Sequence, residues 1–254
     1  MPHNKVNAAA MTHSDHDLEH SHQPDAIAAR LADGPRVSYL RDWVYGGIDG
    51  TVTTFAVVAG VVGADLSNRV ILILGAANLL ADGFSMAAAN YSGTKTEHDD
   101  YHRLRKQEEK HVRLQPEGER EEIRQIYAAK GFAGAQLEQI VDIITSSKER
   151  WIDTMLTEEY GLALAQRSPL MAALTTFVAF VICGLVPLLP YMLGLAGSLP
   201  LATLMSALVF FLIGSAKSKW STQHWSWSGL ETTTIGLIAA GLAYLVGLLL
   251  KQLI

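Results

Sequence analysis

"YGGIDGTVTTFAVVAGVVGA", residues 45–64, is free of charge except at one position. A helix rises 1.5 Å per residue, so about 20 apolar residues cross the roughly 30 Å hydrocarbon core of a bilayer. Asp49 lies inside this stretch, although a carboxylate in lipid costs ~2.5 kcal/mol or more. The stretch therefore predicts a membrane helix in which a charged residue serves a function.

The rest of the chain has the composition of a membrane protein. Of its 254 residues, 49% are hydrophobic and 18% are charged, below the ~25% charged residues of a soluble domain. The apolar residues form blocks that predict five spans, at residues 44–62, 70–89, 170–189, 199–214 and 232–250. The net charge of −5 gives no sign of nucleic-acid binding, and the single cysteine excludes a disulfide within one chain.

The basic residues predict the orientation of these spans. With the amino terminus in the cytoplasm, 18 Lys and Arg residues fall on the cytoplasmic side and 2 fall outside, as the positive-inside rule requires. The first 41 residues contain no apolar segment of the kind found in a cleavable signal peptide. We therefore expect the internal spans to direct insertion.

These patterns predict an all-α membrane protein with four regions. Residues 1–41 form a disordered, His-rich cytoplasmic tail, 42–93 hold spans one and two, 94–167 form a helical cytoplasmic domain, and 168–254 hold spans three to five. Four histidines of the tail alternate with acidic residues, a composition that binds transition metals weakly; they are His13, His16, His20 and His22. A flexible polar tail without that role is the alternative.

Local signals predict the helices of the cytoplasmic domain. Span two continues past residue 93 without a break, and Pro116 suits the first position of a new helix that ends at Gly131. Ser146 and Glu149 have the spacing of a capping box, which predicts a last helix over residues 148–166.

Polar residues inside the spans are the first candidate site. Span two carries four potential ligands at intervals of four, which share one broad helix face. They are the polar Asn78, Asp82 and Asn90 and the thioether of Met86. Buried against other helices, they offer oxygen and sulfur ligands suited to Fe²⁺ or Mn²⁺. The alternative is that Asp49 and Asp82 pair with a Lys or cap a broken helix, but no Lys or Arg lies within a span to form the pair. Glu231 opens span five, either on the transport path or in the headgroup region.

Two glycines flank the charged residue of span one. Gly46 and Gly50 lie on one helix face and allow a second helix to approach closely. That helix belongs either to the same protomer or to the second copy in a homodimer, and the sequence leaves both open.

The central domain offers a second candidate site. Three pairs of potential ligands each share a helix face: Glu108 with His111, Glu119 with Glu122, and Met155 with Glu159. Pointing inward, they would make a cluster for divalent ions. The alternative is that these charged stretches are ordinary solvated helix faces.

Five segments resemble one known family. They are "DGTVTTFAVVAG" in span one, "LADGFSMAAANYSGTKTE" in span two, "PEGEREEIRQIYAAKG" and Trp151-Ile152-Asp153 with Met155-Leu156 in the central domain, and "SGLETTTIGLIAAGLAYLVG" in span five. In this order they resemble the vacuolar iron transporter family over about residues 40–254. The resemblance implies five spans, a homodimer and a cytoplasmic metal-binding domain. It also implies export of Fe²⁺, and often Mn²⁺, from the cytosol in exchange for protons, with Co²⁺ and Zn²⁺ as further ions to test.

The resemblance also implies roles for single residues. Asp49 and Met86 match a carboxylate and a methionine of the translocation path. The matching ligands of the domain are Glu108, Glu119, Glu122, Met155 and Glu159. Two positions depart from the family, since His111 replaces a glutamate and Leu156 replaces a methionine. His111 still ligates metal when neutral, whereas Leu156 does not.

Two other functions are alternatives to transport. Glu108 and His111 have the Glu-x-x-His spacing of a ferritin-like di-iron oxidase, but that architecture needs two such motifs. A membrane metal sensor predicts binding without flux. We therefore expect a transporter rather than an enzyme. Its compact form favours a bacterial plasma membrane over a vacuolar membrane.

Overall fold

The computed structural model describes residues 20–35 and 37–253, and all regular elements in these ranges are helical. The chain divides into two units, of which the first ends at Val37 and the second begins at Ser38. The first unit contains α1 (Pro24–Asp33), where the sequence predicted only disorder. Its proline at the first helical position and the acidic Asp25 in its first turn favour a helix. His13 and His16 lie outside the described residues, and the prediction for the tail stays open there.

The second unit consists of nine α-helices within the described residues. They are α2 (Leu40–Gly63), α3 (Asn68–Leu114), α4 (Pro116–Ala129), α5 (Gly134–Thr145), α6 (Lys148–Glu158), α7 (Pro169–Leu185), α8 (Leu189–Met192), α9 (Ser198–Lys217) and α10 (Trp225–Leu253). A 3₁₀ turn, Val186–Leu188, joins α7 to α8.

Five helical stretches are long and apolar enough to cross a bilayer, which confirms the predicted all-α fold with five spans. They contain α2, α3, α7 with α8, α9, and α10. Span five begins at Trp225, seven residues before the predicted start at 232. Trp225 and Trp227 are exposed at this end, and tryptophan favours the membrane interface. The helix therefore starts in the headgroup region rather than at the edge of the apolar run.

Helix α3 is too long to be only a membrane span. Its 47 residues extend over about 70 Å at 1.5 Å per residue, more than twice the thickness of the hydrocarbon core. As predicted, span two and the following polar segment are one uninterrupted helix. The second half of α3 therefore projects beyond the bilayer and carries the segment formed by α4, α5 and α6.

The structure corrects two details of this projecting segment. Ser147, not Ser146, caps α6, since its side chain accepts a hydrogen bond from the N–H of Arg150. The predicted last helix ends at Glu158 rather than at residue 166. Gly161 has a φ of +67°, a left-handed conformation that stops a helix. The residues from 159 to 168 instead connect α6 to α7.

Helix α2 packs most closely against α7. A Cβ added at Gly46 would lie 2.2 Å from the carbonyl oxygen of Thr176, and one added at Gly50 would lie 2.3 Å from that of Phe180. The two backbones therefore meet at distances that only glycine allows. Of the two alternatives open from the sequence, the glycines serve packing within the protomer.

Candidate metal sites

A buried cluster of three potential ligands lies outside the spans, between α3 and α4. Glu108, His111 and Glu119 each offer one ligand atom, and these atoms lie within 4.8 Å of one another. Nδ1 of His111 lies 3.7 Å from Oε1 of Glu108 and 3.4 Å from Oε1 of Glu119. Pro116 starts α4 just after α3 ends, so the chain doubles back and brings Glu119 to the last turns of α3. The structure therefore brings these three residues together, and their role as metal ligands stays a prediction.

Burying the carboxylates of this cluster costs free energy unless a cation or a proton neutralises them. Glu108 is 1% exposed and Glu119 is 5% exposed, and within the described chain Oε2 of each has no hydrogen-bond partner. Burial first, and then the negative charges of Glu108 and Glu122, together raise the pKa of Glu119 to about 8. Two carboxylates and one imidazole suit borderline divalent ions such as Fe²⁺, Mn²⁺ and Zn²⁺. The side chain of His111 is 44% exposed, so the cluster is open to solvent on that side.

Tyr160 is a member of this site that the sequence analysis missed. Its hydroxyl donates a 3.0 Å hydrogen bond to Oε1 of Glu108 and accepts one from Nε2 of Gln107 at 3.3 Å. Burial first, and this bond second, raise the pKa of Tyr160. The hydroxyl thus holds one carboxylate oxygen in place. Its position beside the predicted ligand Glu159 was the signal that could have revealed it.

The other predicted ligands of this segment lie around the cluster. Glu122 and Glu159 are exposed, and their negative charges act on Glu119. Burial raises the pKa of Glu159, and the charges of Glu108 and Glu122 add to this effect. Met155 is fully buried in an apolar cluster with Ile123, so its role as a sulfur ligand stays a prediction.

Leu156 occupies the position where the resemblance implies a methionine. It is fully buried and packs against Tyr101, Leu104 and Ile152. The side chain is therefore part of the core that joins α6 to α3, and it supplies no ligand atom.

Within the spans, the polar stripe of α3 faces α2 in antiparallel order. Asn78 donates to Oγ1 of Thr53 at 3.2 Å, and Asn90 donates to Oδ1 of Asp42 at 2.8 Å. Between these two contacts, Asp82 lies within electrostatic reach of Asp49. The predicted shared face of Asn78, Asp82 and Asn90 is thus directed along one side of α2.

Met86 lines a cavity beside the contact between Asp42 and Asn90. The cavity has a volume of about 390 Å³ and is lined by Arg41, Asp42, Tyr45, Met86, Ala89, Asn90 and Thr176. Two predicted residues, Met86 and Asn90, are among these, whereas Asp49 is not. Asp49 lies one turn along α2 from Tyr45, on the same helix face.

The three acidic residues predicted within or at the edge of the spans have no partner in the described part of the chain. The carboxylate of Asp49 is half-buried, and Asp82 and Glu231 are exposed. Neither an ion pair nor a side-chain hydrogen bond involves these carboxylates among the described residues. The alternative that Asp49 is neutralised by a Lys is therefore not supported in a single protomer.

A buried ion pair at the first turn of α2 was not predicted from the sequence. Asp42, 2% exposed, pairs with Arg167 and accepts from Asn90. Asn90 also donates to Oγ1 of Thr176 at 2.7 Å, so this amide ties α2, α3 and α7 together. Arg167 belongs to the connection that follows α6. The pair therefore links the projecting segment to the spans.

The two candidate sites are far apart. Met86 and Glu108 lie on one continuous helix and are separated by 22 residues, which is about 33 Å along its axis. One ion therefore cannot contact both sites at once. An ion bound at the cluster has to leave it before it reaches the spans.

Five apolar spans, a projecting helical segment and an acidic cluster define an integral multi-pass membrane protein with a candidate site for divalent metal ions. The sequence profile of the VIT family matches residues 40–248. The chain belongs to the VIT family, which confirms the family resemblance found in the sequence.

Curated relatives agree with this assignment. A protein of Toxoplasma gondii named vacuolar iron transporter is 36% identical over 228 residues, which cover 85% of this chain and 76% of the relative. A protein of Centaurea cyanus with the same name is 33% identical over 81% of this chain and 85% of its own length. Vacuolar iron transporter 1 of Arabidopsis thaliana is 31% identical over 81% and 83%.

Proposed function

We propose that this protein exports Fe²⁺, and Mn²⁺ as a second cargo, from the cytosol across a membrane in exchange for protons. The observation that carries the proposal is the buried Glu108–His111–Glu119 cluster. In it, two carboxylate oxygens have no hydrogen-bond partner within the described chain and are available to bind a cation. Relatives that match four fifths of the chain bear the name vacuolar iron transporter, which supports iron as the cargo.

Capture of the ion begins at the projecting segment. Glu122 and Glu159 lie exposed beside the cluster, and their negative charge raises the local concentration of divalent cations. Glu108, His111 and Glu119 then bind the ion, with Met155 as the soft ligand. Because Tyr160 holds only one oxygen of Glu108, the other oxygen is left to coordinate metal.

Translocation uses the polar face between α2 and α3. Asp49 and Met86 bind the ion in the membrane, with Asn78, Asp82 and Asn90 along the path and Glu231 at its edge. Asp82 is exposed on the protomer, and a carboxylate facing lipid is costly. A homodimer that covers this face removes the cost and brings two copies of Asp49 to one site.

Exchange with protons follows from the chemistry of that shared site. Two carboxylates in a low-dielectric environment hold either a divalent ion or protons, because both neutralise the same oxygens. A site that releases metal on one side of the membrane and takes up protons there operates as an antiporter. Asp49 is the residue at which the two ligands compete.

The distribution of basic residues gives the direction. With 18 Lys and Arg residues on one side and 2 on the other, the amino terminus and the projecting segment face the cytoplasm. The ion is therefore captured in the cytosol and leaves it.

Iron flux in reconstituted vesicles tests the proposal. With an iron-sensitive dye inside and oxygen excluded, we expect Fe²⁺ to accumulate well above the rate of protein-free vesicles, followed by Mn²⁺ and then Co²⁺ and Zn²⁺. In a parallel assay with oxygen present, a di-iron oxidase would instead consume oxygen on addition of Fe²⁺, and it would give no accumulation in the first assay. A sensor would bind metal without flux, and either outcome would overturn the proposal.

A further inference from the structure

Two histidines lie one helical turn apart on α3, between the last turns of the span and the acidic cluster. The Nε2 atoms of His98 and His102 are 3.3 Å apart, and their ring centroids are separated by 4.4 Å at an interplanar angle of 67°. His98 is half-buried and His102 is exposed. Both rings are therefore accessible, and they turn the same nitrogen toward each other.

The separation of these nitrogens is that of two ligands on one metal ion. Zinc–nitrogen bonds are 2.0–2.1 Å long, and two such bonds at a tetrahedral angle place their nitrogens roughly 3.3 Å apart. A hydrogen bond between two neutral imidazoles also fits this distance. In that bond one Nε2 carries the proton and the other accepts it, so a cation replaces the bond once the donor ring has moved its proton to Nδ1.

Asp99 favours the form of His98 that binds metal. Its Oδ1 lies 3.9 Å from Nδ1 of His98, on the side of the ring remote from Nε2, while its Oδ2 is paired with Nζ of Lys95 at 2.6 Å. A carboxylate near one imidazole nitrogen favours the proton there and leaves the lone pair on the other. Nε2 of His98 is thereby available as a ligand.

The pair is separate from the acidic cluster on the same helix. His102 and His111 are nine residues apart, which places them on opposite faces of α3, about 180° apart at 100° per residue. The donor sets differ as well. Two imidazoles favour Cu²⁺, Ni²⁺ and Zn²⁺, whereas carboxylates accept Mn²⁺ and Mg²⁺ more readily.

We propose that His98 and His102 form a second metal site of the projecting segment, which takes a borderline divalent cation of the Zn²⁺ type through two Nε2 atoms and completes its coordination with water. A bound ion links two successive turns of α3 just beyond its span. The site does not depend on the transport proposal, because it uses neither the acidic cluster nor any residue of the spans.

Histidine footprinting of the full chain tests the site directly. Diethyl pyrocarbonate modifies free imidazole, and tryptic cleavage after Lys95 and Arg103 yields one peptide that contains both histidines and no other. His111 falls in a separate peptide. With Zn²⁺ at ten times its dissociation constant, we expect both histidines to be modified about tenfold more slowly, whereas Mg²⁺ gives no protection.

Two variants distinguish metal binding at His98 and His102 from metal binding at the acidic cluster. In His98→Gln the protection of His102 by Zn²⁺ should disappear, because one imidazole alone binds weakly. In Glu119→Gln, which alters the acidic cluster, the protection of both histidines should persist. Unchanged protection of His102 in His98→Gln, or equal modification with and without Zn²⁺, would overturn the proposal.

Discussion

Asp49→Asn is expected to reduce Fe²⁺ accumulation in vesicles at least about 100-fold, more than the loss of an outer-shell group usually costs. The amide has nearly the shape of the carboxylate but lacks its negative charge and is not protonated near neutral pH. It therefore binds neither the divalent ion nor the exchanged proton. The rate of dye response under a constant inward Fe²⁺ gradient measures the effect.

Asp65→Asn is the matched control for this variant. Asp65 lies two residues after the end of α2, is exposed and forms an ion pair with Lys251 at 2.8 Å, so the same chemical change removes only a solvent-screened surface contact. Its φ of +59° is a conformation that asparagine accepts readily. Transport by Asp65→Asn should equal that of the unchanged protein. Normal iron flux through Asp49→Asn would contradict the role given to Asp49.

Glu119→Gln is expected to weaken metal binding at the acidic cluster about 100-fold or more, since a buried charged ligand is lost. Burial and nearby negative charges raise the pKa of Glu119 from its ordinary 4.5 to about 8. At pH 7 the unchanged protein therefore releases about one proton on binding each ion. Titration calorimetry in two buffers of different ionisation enthalpy measures both affinity and proton release.

The raised pKa of Glu119 also makes the stability of the fold depend on pH. Between pH 4.5 and about 8 the folded chain retains the proton of Glu119 while the unfolded chain has lost it, so the free energy of unfolding falls as the pH rises through this window. Glu119→Gln should remove this part of the pH dependence. Glu117→Gln, a change at an exposed carboxylate of the same helix, should leave affinity, proton release and pH dependence as they are. Equal proton release by the Glu119 variant would contradict the assignment.

Much of the fold follows from local sequence signals. Apolar runs of sufficient length are enough to predict membrane helices, and Pro116 marks the start of α4 because it fits the first turn of a helix. The end of α6, by contrast, was predicted at residue 166, whereas the helix ends at Glu158. Residues 159–166 lack a strong helix breaker apart from Gly161, and its left-handed conformation depends on the tertiary context.

The acidic cluster could be predicted because its parts are close in sequence. Glu108, His111 and Glu119 lie on two consecutive helices, and helical spacing alone aligns the first two. Asp42 and Arg167, by contrast, are 125 residues apart. No periodic pattern indicates such a pair, and only the packing of α2 against α7 brings the two residues together.

The glycines of α2 illustrate the same limit. Their spacing indicates a close helix contact but does not identify the helix that makes it. The carbonyl groups of Thr176 and Phe180 in α7 supply that contact. The exposed Asp82 is the feature of the spans on which our proposal of a homodimer rests.

Simultaneous recording of iron and proton movement tests the central claim that Asp49 exchanges a divalent ion for protons. Vesicles containing the protein, an internal pH dye and a known buffer capacity receive a pulse of Fe²⁺ from outside. The account predicts that protons leave the vesicles as iron enters, in a fixed ratio, and that neither moves in Asp49→Asn. Iron entry without any proton movement would contradict the account.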